Sequence, residues 1–146
     1  MIIILFLLVF AAVFIGMYNL YGRQKNQIKH LFRHIDPLLQ QYVEAIQQQL
    51  AQQNPNDADN LSRLNELVWR LKSRNNGINE RVSLYNRIGD IALHSNTTPE
   101  QPEQLAHAID AYNSAVKEYN AMLSKFPTYI IAALFNHHKM KLFEVK

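Results

Sequence analysis

LAHAIDAYNSAVKEYNAMLSKF, residues 105–126, is the stretch that decides the fold. Leu105, Ile109, Tyr112, Val116, Tyr119, Leu123 and Phe126 are apolar and follow one another at alternating steps of four and three. Beyond residue 22 the chain is about 41% apolar, so seven chosen positions would all be apolar in about 0.2% of trials per register. The stripe predicts an amphipathic helix with a coiled-coil-like seam turned toward partner helices. Pro127 ends it, because proline disfavours helical geometry in the residue before it.

Two further runs have the same period. Ile28, Leu31, Ile35, Leu39, Tyr42, Ile46 and Leu50 form one, interrupted by Pro37. Asp36 as cap and Pro37 at a first helical position predict a kink or short break there. The polar QNPNDADN (53–60) reads as a turn or short linker. Leu61, Leu64, Val68, Leu71, Ile78, Val82, Tyr85, Ile88 and Ala92 form the other run, with Asn60 as its cap. Asn75, Asn76 and Gly77 weaken its middle, but the phase resumes at Ile78, which favours one long helix. In the connection HSNTTPEQPEQ (94–104), Thr98 followed by Pro99 and Gln101 resembles a helix start. YIIAALF (129–135) is apolar all round and fits a short helix, either buried or lying against a bilayer. KMKLFEVK is a mixed tail. No segment alternates as a strand would. The expected fold is all-α: an N-terminal transmembrane helix, then an antiparallel bundle of three long helices plus a short C-terminal helix.

The transmembrane assignment rests on residues 1–17, MIIILFLLVFAAVFIGM, and on the lack of any charge before Arg23. At about 1.5 Å per residue, 17–22 residues cover roughly 26–33 Å, the thickness of a hydrocarbon core. Tyr18 and Tyr21 fall at an interfacial aromatic belt. A cleaved signal peptide would carry a basic n-region and a small-x-small cleavage site, and neither is present. The chain therefore divides into an anchor, 1–22, and a helical-bundle domain, 23–146. Arg23, Lys25, Lys29 and Arg33 follow the span before any acid, so the positive-inside rule places the N-terminus outside and the domain in the cytoplasm. The same four cations either rest on anionic headgroups or serve only as the topology signal, the latter being the simpler reading.

Composition removes several function classes. With no cysteine there is no disulfide scaffold, thiolate metal site or cysteine nucleophile. Four glycines without a GxGxxG or GxxxxGK[ST] pattern provide no phosphate-cradling loop. His30 and His34 are spaced i, i+4, but they lack a third ligand and the HExxH base, and adjacent His137 and His138 diverge on a helix. Asp57 and Asp59 lie in the linker, and Glu100 and Glu103 at a helix start, where acids serve the macrodipole. Arg63, Arg70, Lys72, Arg74, Arg81 and Arg87 form a basic stretch. A net charge of +3 without a recognition motif reads as a solvated face or a docking surface for acidic partners rather than a nucleic-acid site.

Four of the seven tyrosines precede asparagine: Tyr18-Asn19, Tyr85-Asn86, Tyr112-Asn113 and Tyr119-Asn120. A seam tyrosine buries its ring and needs a partner for its hydroxyl. The neighbouring asparagine either bonds across helices or to backbone groups, fixing register, or is solvated. The segment AYNSAVKEYNAMLSKFPTYIIAALF (111–135) resembles the C-terminal signature of the LemA family, as do Tyr18-Asn19 after the span, Ile35-Asp36 and the ending LFE (142–144). Two departures stand out: LLQQYVEAIQQQ (38–49) replaces the family's RRxDLIPNLV stretch, and Ile109 replaces an arginine. The resemblance implies an N-terminally anchored bacterial inner-membrane protein with a cytoplasmic helical bundle and no defined reaction. Its signature residues would be Tyr18, Asn19, Tyr112, Asn113, Tyr119, Asn120, Phe126 and Pro127.

The function expected from these readings is non-enzymatic: a single-pass membrane protein presenting an interaction or scaffold domain to the cytoplasm. It would have no cofactor, no metal and no nucleic-acid partner. Its partners would be the bilayer, proteins not identifiable from sequence, or further copies of itself. Two other classes remain open: a subunit of a membrane enzyme sharing its site with another chain, and a basic nucleic-acid tether.

Overall fold

The computed structural model describes residues 1–53, 57–73 and 75–144. Part of the 53–60 linker and Arg74 of the basic stretch thus lie outside the described residues. The described chain forms five helices: α1 (Ile2–Gln53), α2 (Ala58–Leu71), α3 (Ile78–His94), α4 (Glu103–Leu123) and α5 (Thr128–Leu134). No strand occurs among the described residues. A non-helical tail, 137–144, follows α5.

α1 is a single helix of 52 residues that passes through Pro37 and through the expected boundary at residue 22. The break expected at Pro37 is not made, and packing is the reason. Ile28, Phe32, Ile35, Leu39, Val43, Ile46 and Leu50 are all buried and keep one face across the proline. An interior proline costs about 3 kcal/mol. Seven buried side chains at about 1.5–3 kcal/mol each outweigh it. Asp36 does not cap a helix; its carboxylate is taken by α3 instead.

The second correction lies in the middle run, which is two helices rather than one. α2 ends at Leu71 and α3 begins at Ile78. Asn76 Nδ2 donates to the Arg70 carbonyl at 2.6 Å and Arg81 Nη1 to the Leu71 carbonyl at 2.8 Å, so the last carbonyls of α2 are satisfied from beyond its end. Folding back lets both halves bury their stripe on α1. Gln47 bonds Asn65, while Gln40 and Glu44 lie near Val68 and Leu71, so α2 runs antiparallel to α1. Asp36 meets Arg81, and Ile46 lies near Ile88 and Ala92, so α3 runs parallel to it. The helix starts also shift. α2 begins after Asp57, to whose carboxylate Asn60 donates at 2.9 Å, and α4 begins after Pro102 rather than at Thr98.

α4 lies antiparallel along α1. Tyr21 meets Tyr119 and Met122, Phe32 meets Tyr112, and Tyr42 reaches the Pro99 carbonyl. Six of the seven seam residues of α4 are buried; Phe126, past the helix end, is 77% exposed. Among the described residues, no Cα of α3 lies within 8 Å of one in α4. The gap between them is filled by the tail. Asn136, in the left-handed conformation at φ 55°, ends α5 and turns the chain toward that gap, with the His137 amide bonded back to the Ala132 carbonyl at 2.8 Å.

Candidate functional site

The tail is held by four asparagines, two from each flanking helix. On α4, Asn113 Nδ2 donates to the Phe143 carbonyl and its Oδ1 accepts the Phe143 amide, both at 2.9 Å. Asn120 does the same with Met140, both at 2.8 Å. On α3, Asn86 donates to the Leu142 carbonyl at 3.1 Å and accepts the Glu144 amide at 2.9 Å. Asn79 donates to the Lys139 carbonyl at 3.3 Å and accepts the Lys141 amide at 2.8 Å. The Tyr112 hydroxyl adds a bond to the Lys141 carbonyl at 3.2 Å.

The spacing explains the pattern. Each asparagine pair is seven residues apart, a rise of about 10.5 Å along a helix. The tail residues they grip are three apart, which in an extended chain is about 10 Å. A heptad of helix and a tripeptide of extended chain therefore stay in step. An asparagine amide presents a donor and an acceptor side by side, as a neighbouring strand would. Most backbone groups from Lys139 to Glu144 are thus bonded as in a sheet, without a second strand. It runs parallel to α3 and antiparallel to α4.

Phe143 anchors the tail. Its ring is buried, stacked on Phe32 at 6.4 Å and edge-on to Tyr112 at 5.0 Å, with Tyr85 at 6.3 Å. Beyond it a cavity of about 130 Å³ opens, bordered by Tyr42, Ile46, Tyr85, Ile109 and Glu144. Burial raises the phenol pKa of Tyr112 and of Tyr42.

Beside this groove, Asp36 forms the best-buried ion pair among the described residues. Arg81 Nη2 reaches its two carboxylate oxygens at 2.8 and 2.9 Å, and the Tyr85 hydroxyl donates to Oδ1 at 2.8 Å. The side chains of Arg81 and Asp36 are 15% and 24% exposed. Burial opposes the Arg81 charge, but the Asp36 carboxylate outweighs it and raises the guanidinium pKa. Burial, then the carboxylate it donates to, raises the Tyr85 phenol. Every member of this cluster has a partner on another helix, so it ties α3 to α1.

At the opposite end of α4, Tyr21 donates to carbonyls at 2.9 Å (Thr128) and 3.2 Å (Met122) and stacks on His137 at 5.2 Å. The Tyr119 hydroxyl lies 3.4 Å from His137 Nδ1. Burial, then the cations of Lys25 and His138, lower the His137 pKa.

The expected signature residues therefore divide. Tyr112, Asn113, Tyr119 and Asn120 meet at the tail and its base. Tyr18 and Asn19 are exposed on α1, with the Tyr18 ring 4.9 Å from Phe135. Phe126 and Pro127 form the turn into α5. Arg23, Lys25, Lys29 and Arg33 are exposed on α1. Arg33 stands about 15 Å further along the helix than Arg23. His30 and His34 are exposed on the same helix, and no group of three metal-ligating side chains occurs among the described residues. Asn79, Asn86, Met140 and Phe143 were not singled out as site residues from sequence. The heptad between Asn79 and Asn86, matching that between Asn113 and Asn120, was the available signal.

No curated protein and no solved structure matches this chain. Residues 93–146, which take in α4, α5 and the tail, match the model of the LemA family.

Proposed function

We propose that this chain is a non-enzymatic, single-pass membrane protein that presents its helical domain at the cytoplasmic face as an interaction or scaffold module. The observation that carries the reading is the continuity of α1. Among the described residues one helix is long and apolar enough to cross a membrane, and its apolar window has none of its residues buried in the protein. The same helix then becomes the central element of the domain, packing against the other four. A domain built on the emergent end of its own anchor is held at a fixed distance from the bilayer, as suits a scaffold. The LemA match and the cations that follow the span support the same reading. The polar groups of the groove are spent on the tail backbone, which favours a structural role over a reactive one.

Two measurements test this. A reporter fused behind residue 146 is expected to work only if it functions in the cytoplasm, and activity of a periplasm-only reporter reverses the orientation. A photo-crosslinking residue in place of Trp69, the single tryptophan and 75% exposed on α2, should give a discrete protein adduct in intact membranes. Uniformly absent adducts there and at other exposed positions on α2 and α3 would count against an interaction module.

A further inference from the structure

We propose that α5 is a second membrane contact: a short apolar helix whose inner face packs on the domain and whose outer face is immersed in the bilayer at the cytoplasmic end of the span. The inference rests on the anchor reading and adds to it a surface that a plain single-pass topology does not require.

α5 has two unlike faces. Ile131 and Ala132 are buried against the domain. Ile130 and Leu134, one helical turn apart, are 42% and 68% exposed. Tyr129, Phe135 and Phe126 extend the same apolar exposure. From Phe126 to Asn136 the sequence holds no charged residue. A contiguous apolar surface of this kind is a liability in water and marks a contact.

The position of α5 identifies the occupant as lipid. The Phe135 ring lies 5.9 Å from that of Phe14 and 4.9 Å from that of Tyr18. Phe14 belongs to the uncharged span and precedes the first charge, Arg23, by about 13 Å of helix. α5 therefore sits level with the last turns of the span, on its lipid-facing side. Interfacial helices bury their apolar face about 5–10 Å into the headgroup and acyl boundary, and Tyr18, against which Phe135 packs, lies about 7.5 Å of helix before Arg23, within that range. The nearby charges fit as well. Lys125 and Lys139 flank the uncharged stretch, and Arg23 and Lys25 emerge beside it, all four exposed. They are placed where anionic headgroups would meet them.

The test uses the full chain in phosphatidylcholine–phosphatidylglycerol vesicles, in a Trp69→Phe background, so that each introduced tryptophan is the only one. With Leu134→Trp, emission should shift to the blue, fall about twofold or more with lipids brominated on the acyl chain, and resist acrylamide. Ile130→Trp gives the same readout from the neighbouring turn if the first variant fails to fold. Phe6→Trp, within the span and away from α5, reports on the anchor alone. Quenching by brominated lipid at Phe6→Trp but not on α5 overturns the proposal and leaves the anchor intact. Absence at both sites overturns the anchor reading itself. A blue-shifted α5 probe that brominated lipid does not quench shows the face covered by another copy of the chain, and also overturns the proposal.

Discussion

Removing Asn113 is the most direct test of the clamp. Asn113 is 9% exposed and spends both side-chain groups on the amide and carbonyl of Phe143, itself 5% exposed. Asn113→Ala deletes both partners while the ring of Phe143, packed on Phe32 and Tyr112, holds the orphaned groups in place. A buried polar group left unsatisfied costs about 1–3 kcal/mol, and two are stranded here, so the expected loss is about 2–6 kcal/mol. That is a large part of the roughly 5–15 kcal/mol that stabilises a domain. Asn113→Asp keeps the shape but aims a carboxylate oxygen at the Phe143 carbonyl, and should be at least as damaging. The assay is denaturant unfolding of the full chain in detergent micelles, with hydrogen exchange read at the amides of Met140, Lys141, Phe143 and Glu144. If the tail detaches instead of straining, the stability loss is capped at its docking energy, and those four amides exchange quickly. A variant within about 0.5 kcal/mol of the parent, with unchanged exchange at Phe143, would refute the reasoning.

Three other outcomes are expected. Asp36→Asn leaves Arg81 without its counter-ion and should cost about 2–4 kcal/mol, because breaking a largely buried pair strands a charge; a cost near zero would show the pair to be solvated. Pro37→Ala restores a missing helical amide on the exposed face of α1 and should raise stability by about 1–3 kcal/mol; destabilisation would mean that the proline shapes the helix as the domain needs. His137 has a lowered folded-state pKa, so its contribution is complete above the ordinary histidine value near 6.5 and is lost as pH falls through the folded value. The melting temperature should drop between pH 7.5 and 5.5, and His137→Gln should lessen that drop; an equal drop in the variant would place the pH dependence elsewhere.

The asparagines show how far side-chain pattern carries and where it stops. Tyr112, Val116, Tyr119 and Leu123 were legible as a buried seam because a helix repeats in 3.6 residues and burial selects apolar side chains at that period. The Tyr-Asn pairs were legible as register devices, with bonding to backbone one of the two roles open to them. Their target was not legible, because the asparagines meet only the backbone of the tail, and backbone has no sequence. Residues 139–144, KMKLFE, have no clear alternation since their two sides meet two helices and not a sheet.

The chain's periodicity, its uncharged first 22 residues and its lack of cysteine determined by themselves an all-helical protein with one membrane-compatible segment. Those features are local: each depends on residues within a few turns of one another. Three outcomes were left to tertiary structure. α1 runs unbroken through Pro37 because its packing against α2, α3 and α4 outweighs one lost hydrogen bond. The middle run folds back after Leu71 because two short helices bury the same stripe on α1 that one long helix would leave half exposed. The tail takes its place between α3 and α4 because a heptad of helix and three extended residues have nearly equal length. Such a match exists only once the two helices stand side by side.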